Sequence, residues 1–272
     1  MATMASTTHS LLPAGKDPQQ EAIEALLDKS SRPSHRVNIR QSFVQGGPQA
    51  HPIPGPLHLM LKAHDERALD LFLLHRALVS HEPWHSFPLD ARVWGRALGL
   101  GGSADSGVTA VSKTWKRLDE NYRLVRRGRQ GRLAIITSLR EDGTGHDYTS
   151  PAGNSRDERY LTLPFEYWTS PKCWYRTLDF PAKAMLLVAS SLGVGFVLPT
   201  ERSKDWYGIS TESADRGLRT LRQQGILDRV TRVKSAPLSP TGVTQEYRYT
   251  LTKPFGRLRQ PRLTLLTGHV AS

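Results

Sequence analysis

Residues 208–232 read GISTESADRGLRTLRQQGILDRVTR. Ser210 stands where a helix N-cap belongs, its hydroxyl able to accept from an unsatisfied backbone N–H of the first turn. Behind it Ala214, Leu218 and Leu221 recur three and four residues apart, the spacing of one buried helix face. Gly225 then supplies the positive φ that ends a helix, and Ile226-Leu227 opens a strand. The stretch predicts a turn closing at Ile209, a helix with one inward face, a glycine stop and a strand.

The same pattern occurs about 100 residues earlier. Val108, Val111, Trp115 and Leu118 are spaced like Thr211, Ala214, Leu218 and Leu221, each position offset by 103, and Leu124-Val125 matches Ile226-Leu227. Upstream of each lies an apolar helix, residues 68–80 and 181–192, the second with Asp179 placed as N-cap before Pro181. Short extended pieces follow, Phe87-Pro88-Leu89 and Phe196-Val197-Leu198, and then helices carrying Trp94 and Trp206. Each third helix leads into a hairpin. The first covers residues 123–137, its tip expected at residues 128–131. The second runs out over residues 226–233 and returns over 246–251 through a loop holding Pro237, Pro240 and Gly242.

Helix, short strand, helix, helix, hairpin is an order that resembles the winged helix-turn-helix family, over about 95 residues in the second unit and about 80 in the first. A long glycine-rich turn, residues 99–103, departs from the tight form in the first unit. The fold expected is α+β, mainly α: two winged helix-turn-helix domains in tandem behind a disordered N-terminal arm. The boundaries are an arm at 1–58 with one short amphipathic helix, a first domain at 59–138, a linker at 139–158, a second domain at 159–253 and a basic tail at 254–272. In the arm, Ile23, Leu26 and Leu27 share a helix face behind Asp17-Pro18, which either docks on the body or meets a protein partner through residues 19–29.

The charge points the same way. The 272 residues hold 37 Lys+Arg against 25 Asp+Glu, a net +12, and Arg outnumbers Lys by 27 to 10. Guanidinium suits bidentate contact with phosphate and guanine edges. Residues 113–132, 216–234 and 253–262 hold 18 of the 37 basic residues in 49 positions, a clustering expected of an electrostatic footprint. The resemblance implies double-stranded DNA as partner and a sequence-specific binding protein, most simply a transcriptional regulator. Ser112, Lys113, Lys116, Thr211, Ser213, Arg216, Arg219 and Thr220 are the candidates for reading bases. Arg117, Arg126, Arg127, Arg129, Arg132, Arg222, Arg229, Arg232 and Lys234 are the candidates for holding phosphates. Two adjacent major grooves read by one chain and an inverted repeat read by a homodimer remain alternatives.

A replication initiator or partition-type factor of a plasmid or mobile element is the second reading, since RYLTLPFEYW (residues 159–168) resembles helix-turn-helix proteins of such elements. A protein-binding adaptor is the third. Enzyme readings find no support: no GxxxxGK[ST] phosphate loop, no CxxC or HExxH ligand spacing, and a single cysteine, Cys173, without a neighbouring histidine. No catalytic residue, metal or cofactor is expected. Trp168, Trp174 and Tyr175 read as packing residues, with an aromatic base-stacking platform as the alternative. The start MATMASTTHSLLPAGK lacks a basic, then apolar signal pattern, and the 15-residue apolar run at 184–198 is too short for a bilayer. No membrane and a cytoplasmic, nucleoid-associated location are expected.

Overall fold

Asp17 caps the first helix by accepting from the Gln19 N–H at 3.0 Å, with Pro18 at the first helical position. That helix is α1 (Pro18–Lys29), and in the computed structural model, which describes residues 17–48, 50–100 and 104–256, its Ile23, Leu26 and Leu27 are buried. Next come β1 (Arg36–Arg40), a 3-10 turn (Gln41–Phe43), β2 (Gln45–Gly46), β3 (Ile53–Pro54) and α2 (Leu57–Lys62). The first repeat is α3 (Glu66–Leu78), α4 (Ala91–Ala97), α5 (Ala104–Glu120) and the hairpin β4 (Val125–Gln130) with β5 (Leu133–Ser138). After β6 (Tyr160–Pro164), α6 (Glu166–Thr169) and α7 (Trp174–Thr177) comes the second repeat. It comprises α8 (Phe180–Ser191), a 3-10 turn (Thr200–Arg202), α9 (Ser203–Tyr207), α10 (Thr211–Gln223) and the hairpin β7 (Leu227–Ser235) with β8 (Val243–Leu251). The described residues thus form a mixed α/β fold of ten helices and four small antiparallel sheets.

The two repeats share the order of three helices and a hairpin. Each first helix is followed by an extended segment that bridges to the hairpin, His85 with Thr137 and Leu89 with Ala134 in the first repeat, Phe196 with Tyr249 in the second. Within the second, α10 lies so close on α8 that a Cβ at Gly217 would meet the Pro181 carbonyl oxygen at 2.5 Å and Met185 Cγ at 2.6 Å. Gly208 ends α9 at φ 65, the left-handed turn that aims α10 across α8. The first hairpin turns at Gly131 and Arg132, because Gln130 pairs with Leu133, so the tip is two residues later than expected. The second is longer than expected, with nine residues a side and Ser235 opposite Val243.

Residues 17–58 are not a loose arm. β1 pairs antiparallel with β6, from Arg36 opposite Pro164 to Arg40 opposite Tyr160, and α1 packs on α3, α4 and α6. Nor do residues 139–158 behave as a free linker: Glu141, Tyr148 and Pro151 are buried. Arg40, itself fully buried, reaches Glu141 at 2.8 Å, Glu158 at 2.8 Å and the Thr149 hydroxyl at 2.8 Å. The Arg76 guanidinium lies 3.9 Å over the Tyr148 ring and donates to Ser138 Oγ at 2.8 Å. Lys183 on α8 pairs with Asp70 at 2.8 Å and Glu66 at 2.9 Å, both on α3. One apolar core, running from Ile23 through Phe72, Trp94 and Trp115 to Met185, Leu218 and Tyr249, is shared by both repeats. Among the described residues no helix is long and apolar enough to cross a membrane. Residues 1–16, the last three residues of the glycine-rich turn (101–103) and the basic tail from 257 onward lie outside the described residues.

Candidate nucleic-acid interface

Ser210 caps α10, its Oγ accepting from the Ser213 N–H at 3.2 Å. Ala214, Gly217, Leu218 and Leu221 face the core, which leaves Asp215, Arg216, Arg219, Arg222 and Gln223 exposed with Thr220 half-buried. Thr211, matched by spacing to the inward Val108, is exposed at the first helical position. Ser213 is half-buried, and its hydroxyl accepts from Ser210 Oγ at 2.9 Å. Arg216 leans back to Asp179, Nε to Oδ2 at 3.3 Å, and Asp179 in turn caps α8.

Beyond α10 the hairpin β7–β8 is exposed along its whole first strand after Leu227. The Arg229 guanidinium lies 4.4 Å from the Tyr247 ring centroid, a stacked arrangement that holds the cation in place. Lys234 pairs with Glu246, which Arg248 also reaches at 3.0 Å. The Lys234 hydrogen bond is the main cause that draws the Glu246 carboxyl below the usual range. Lys234 is therefore already matched by an acid. Arg219, Arg222, Arg229 and Arg232 form no ion pair with a described residue.

The first repeat presents the same kind of surface. Ser112, Lys113 and Lys116 are exposed on α5, Lys116 lying 3.7 Å from Glu120 one turn on. Arg127, Arg129 and Arg132 project from β4–β5 without an ion pair to a described residue, whereas exposed Arg126 reaches Asp147 at 2.9 Å. Arg117, expected on phosphate, turns inward instead. Its Nε and Nη2 donate to both oxygens of Asp65 at 2.6 and 2.8 Å, and the Tyr122 hydroxyl donates to the same carboxylate at 3.0 Å. Burial alone would raise the Asp65 pKa; the hydrogen bonds from Arg117 and Tyr122 overcome it and hold the carboxyl below its ordinary value. Asp65 also caps α3, so Arg117 ties the third helix to the start of the first, as Arg216 does through Asp179 in the second repeat.

Spacing could not reveal these tethers, since Asp65 precedes Arg117 by 52 residues. Tyr247 escaped the sequence reading too, although the alternation of residues 246–251 placed it on a strand and its spacing from Tyr249 marked one face. Trp168, Trp174 and Tyr175 are buried. Among the described residues no three His, Cys, Asp or Glu side chains group as metal ligands. Compared with known proteins, the chain matches no family model, no curated protein and no solved structure.

Proposed function

We propose that this chain is a sequence-specific, double-stranded DNA-binding protein, most simply a transcriptional regulator, that engages duplex DNA through two winged helix-turn-helix units. The observation that carries the reading is the recurrence of one surface: a third helix and the hairpin behind it, each with a set of cations lacking an acid partner among the described residues. Lys113, Arg127, Arg129 and Arg132 make up one set, Arg219, Arg222, Arg229 and Arg232 the other. Unmatched guanidinium groups gain most from phosphate, because no intramolecular pair has to break first. Hairpin arginines neutralise phosphates and fix register, while the exposed positions of α5 and α10 meet base edges.

Two measurements test this. With six to ten phosphates engaged, affinity for duplex DNA falls by roughly a thousandfold or more between 50 and 200 mM salt. Genomic fragments recovered with the full chain and sequenced to base resolution give discrete promoter sites for a regulator. Clustered repeats at one origin would convert the reading to a replication initiator, and the absence of enriched sites would overturn DNA recognition altogether.

A further inference from the structure

The two hairpins end differently. The first turns on Gly131 and Arg132, with no large apolar side chain in the turn. The second ends in residues 236–242, APLSPTG, whose Leu238 is 102 % exposed. A lone exposed leucine is ordinary on a protein surface. Two features set this one apart.

The loop that carries it is fixed. The Ser239 N–H donates to the Ala236 carbonyl at 2.8 Å, closing a four-residue turn with Pro237 in its second position, where the ring locks φ. The Ala236 N–H donates to the Gly242 carbonyl at 2.8 Å, the Gly242 N–H to the Ser239 carbonyl at 3.0 Å, and the Ser239 and Thr241 hydroxyls both to the Val243 carbonyl at 3.0 Å. Leu238 is thus displayed from a braced turn with little entropy left to lose on contact. The hairpin beneath it also carries more cations than acids, Arg229, Arg232, Lys234 and Arg248 against Asp228 and Glu246, with the excess on β7, where Arg229 and Arg232 have no acid partner among the described residues. An apolar tip on a cationic stem fits a polyanion with an apolar interior. Base-paired DNA has that character, and its minor groove admits leucine as a wedge between base steps.

Reach agrees. Nine strand residues extend about 25–30 Å from the root of the hairpin, whereas the minor groove next to an occupied major groove lies about 17 Å along the axis, half a helical turn. We infer that Leu238 is such a wedge: with β7–β8 laid along the duplex, its side chain enters the minor groove, parts two stacked base pairs and bends the DNA. This rests on the duplex-DNA reading above and adds to it a deformation at one step.

The experiment uses the full chain and a duplex of about 40 base pairs recovered by that chain from a random-sequence pool, long enough to show a bend. Dyes at the two ends report the bend, and permanganate reports unstacked thymines. The wild-type chain should shorten the end-to-end distance and expose thymines at one step. Leu238→Ser should abolish both, lower affinity by about tenfold and leave the salt slope unchanged; Leu238→Met should retain the bend. Binding without a bend, or an equal bend with Leu238→Ser, overturns the wedge and leaves DNA binding standing. Binding to no duplex overturns the functional reading and the wedge together. Should Leu238→Ser instead dissolve a self-association seen by sedimentation without DNA, and leave the bend intact, the tip is a contact between copies and the wedge is wrong.

Discussion

Arg216 and Arg219 lie about one turn apart on the exposed side of α10, while Arg127 and Arg129 lie on the first hairpin. The proposed function gives them different work. Arg216→Ala with Arg219→Ala should narrow the gap in affinity between preferred and random duplexes, by about 1–3 kcal/mol for each arginine that reads a base edge. Arg127→Ala with Arg129→Ala should weaken all sequences alike and flatten the logarithmic salt slope by about 2. Titration of both variants against the same duplexes at several salt concentrations separates these outcomes, and identical behaviour would refute the division. A second residue-scale prediction concerns His75, fully buried on α3, whose Nε2–H donates to the Ile136 carbonyl at 3.0 Å while Nδ1 has no partner among the described residues. Burial depresses its pKa from 6.5 to about 3. Between those values the unfolded chain binds a proton that the folded chain refuses, so this group lowers stability as pH falls, by about 2 kcal/mol from pH 6.5 to pH 5. Asp70 acts in the opposite sense: burial lifts its carboxyl to about 6 despite Lys183, so its stabilising contribution is present at low pH and lost as pH rises through 6. Denaturant unfolding of wild type and His75→Gln at each pH isolates the histidine. The variant should start less stable at neutral pH and lose less on acidification.

Among the elements, α10 shows how a single position without a side chain sets the geometry of a surface. Gly217 faces the Pro181 carbonyl at a distance no Cβ tolerates, so Gly217→Ala should force α10 off α8 and cost about 1–3 kcal/mol, despite alanine's better helix propensity. Thermal unfolding reads the loss, and the tilt of the arginine face should lower DNA affinity beyond the loss of folded protein. Much at this scale was legible in sequence. The inward positions Ala214, Leu218 and Leu221 followed from spacing, the N-caps Ser210 and Asp179 from residue type, and the match of Phe87-Pro88-Leu89 to Phe196-Val197-Leu198 from the repeat. The misses have physical causes. Thr211 is polar and sits at the helix start, where the period does not yet bury a residue. Strand β1, five residues of RVNIR within a Pro-, Gly- and Ser-rich stretch, finds its hydrogen-bond partners more than 110 residues away, in β6.

For the whole molecule, the β1–β6 pair and the Arg40 cluster decide how the repeats are joined. An antiparallel pair has a local twofold axis, here through Asn38 and Thr162, and each strand packs on the first helix of its own repeat, β1 on α3 and β6 on α8. Because the core is continuous and residues 139–158 are pinned by Glu141 and Tyr148, unfolding should be a single transition, coincident in circular dichroism and tryptophan fluorescence. Two separate transitions would show that the repeats fold independently. Arg40→Ala should lower stability by about 3–5 kcal/mol, since it strands the buried Glu141 carboxylate without its closest cation. Local rules, namely helix period, capping residue, glycine stop and clustered cations, let the sequence alone determine the repeated order of elements and the density of arginine on them. Tertiary structure alone decided which cations remain unmatched: Arg117 turns to Asp65, Lys234 to Glu246 and Arg40 into the core, while Arg219 and Arg229 stay exposed. The pairing of a charge depends on acids far away in the chain, and only the folded distances bring those acids within reach.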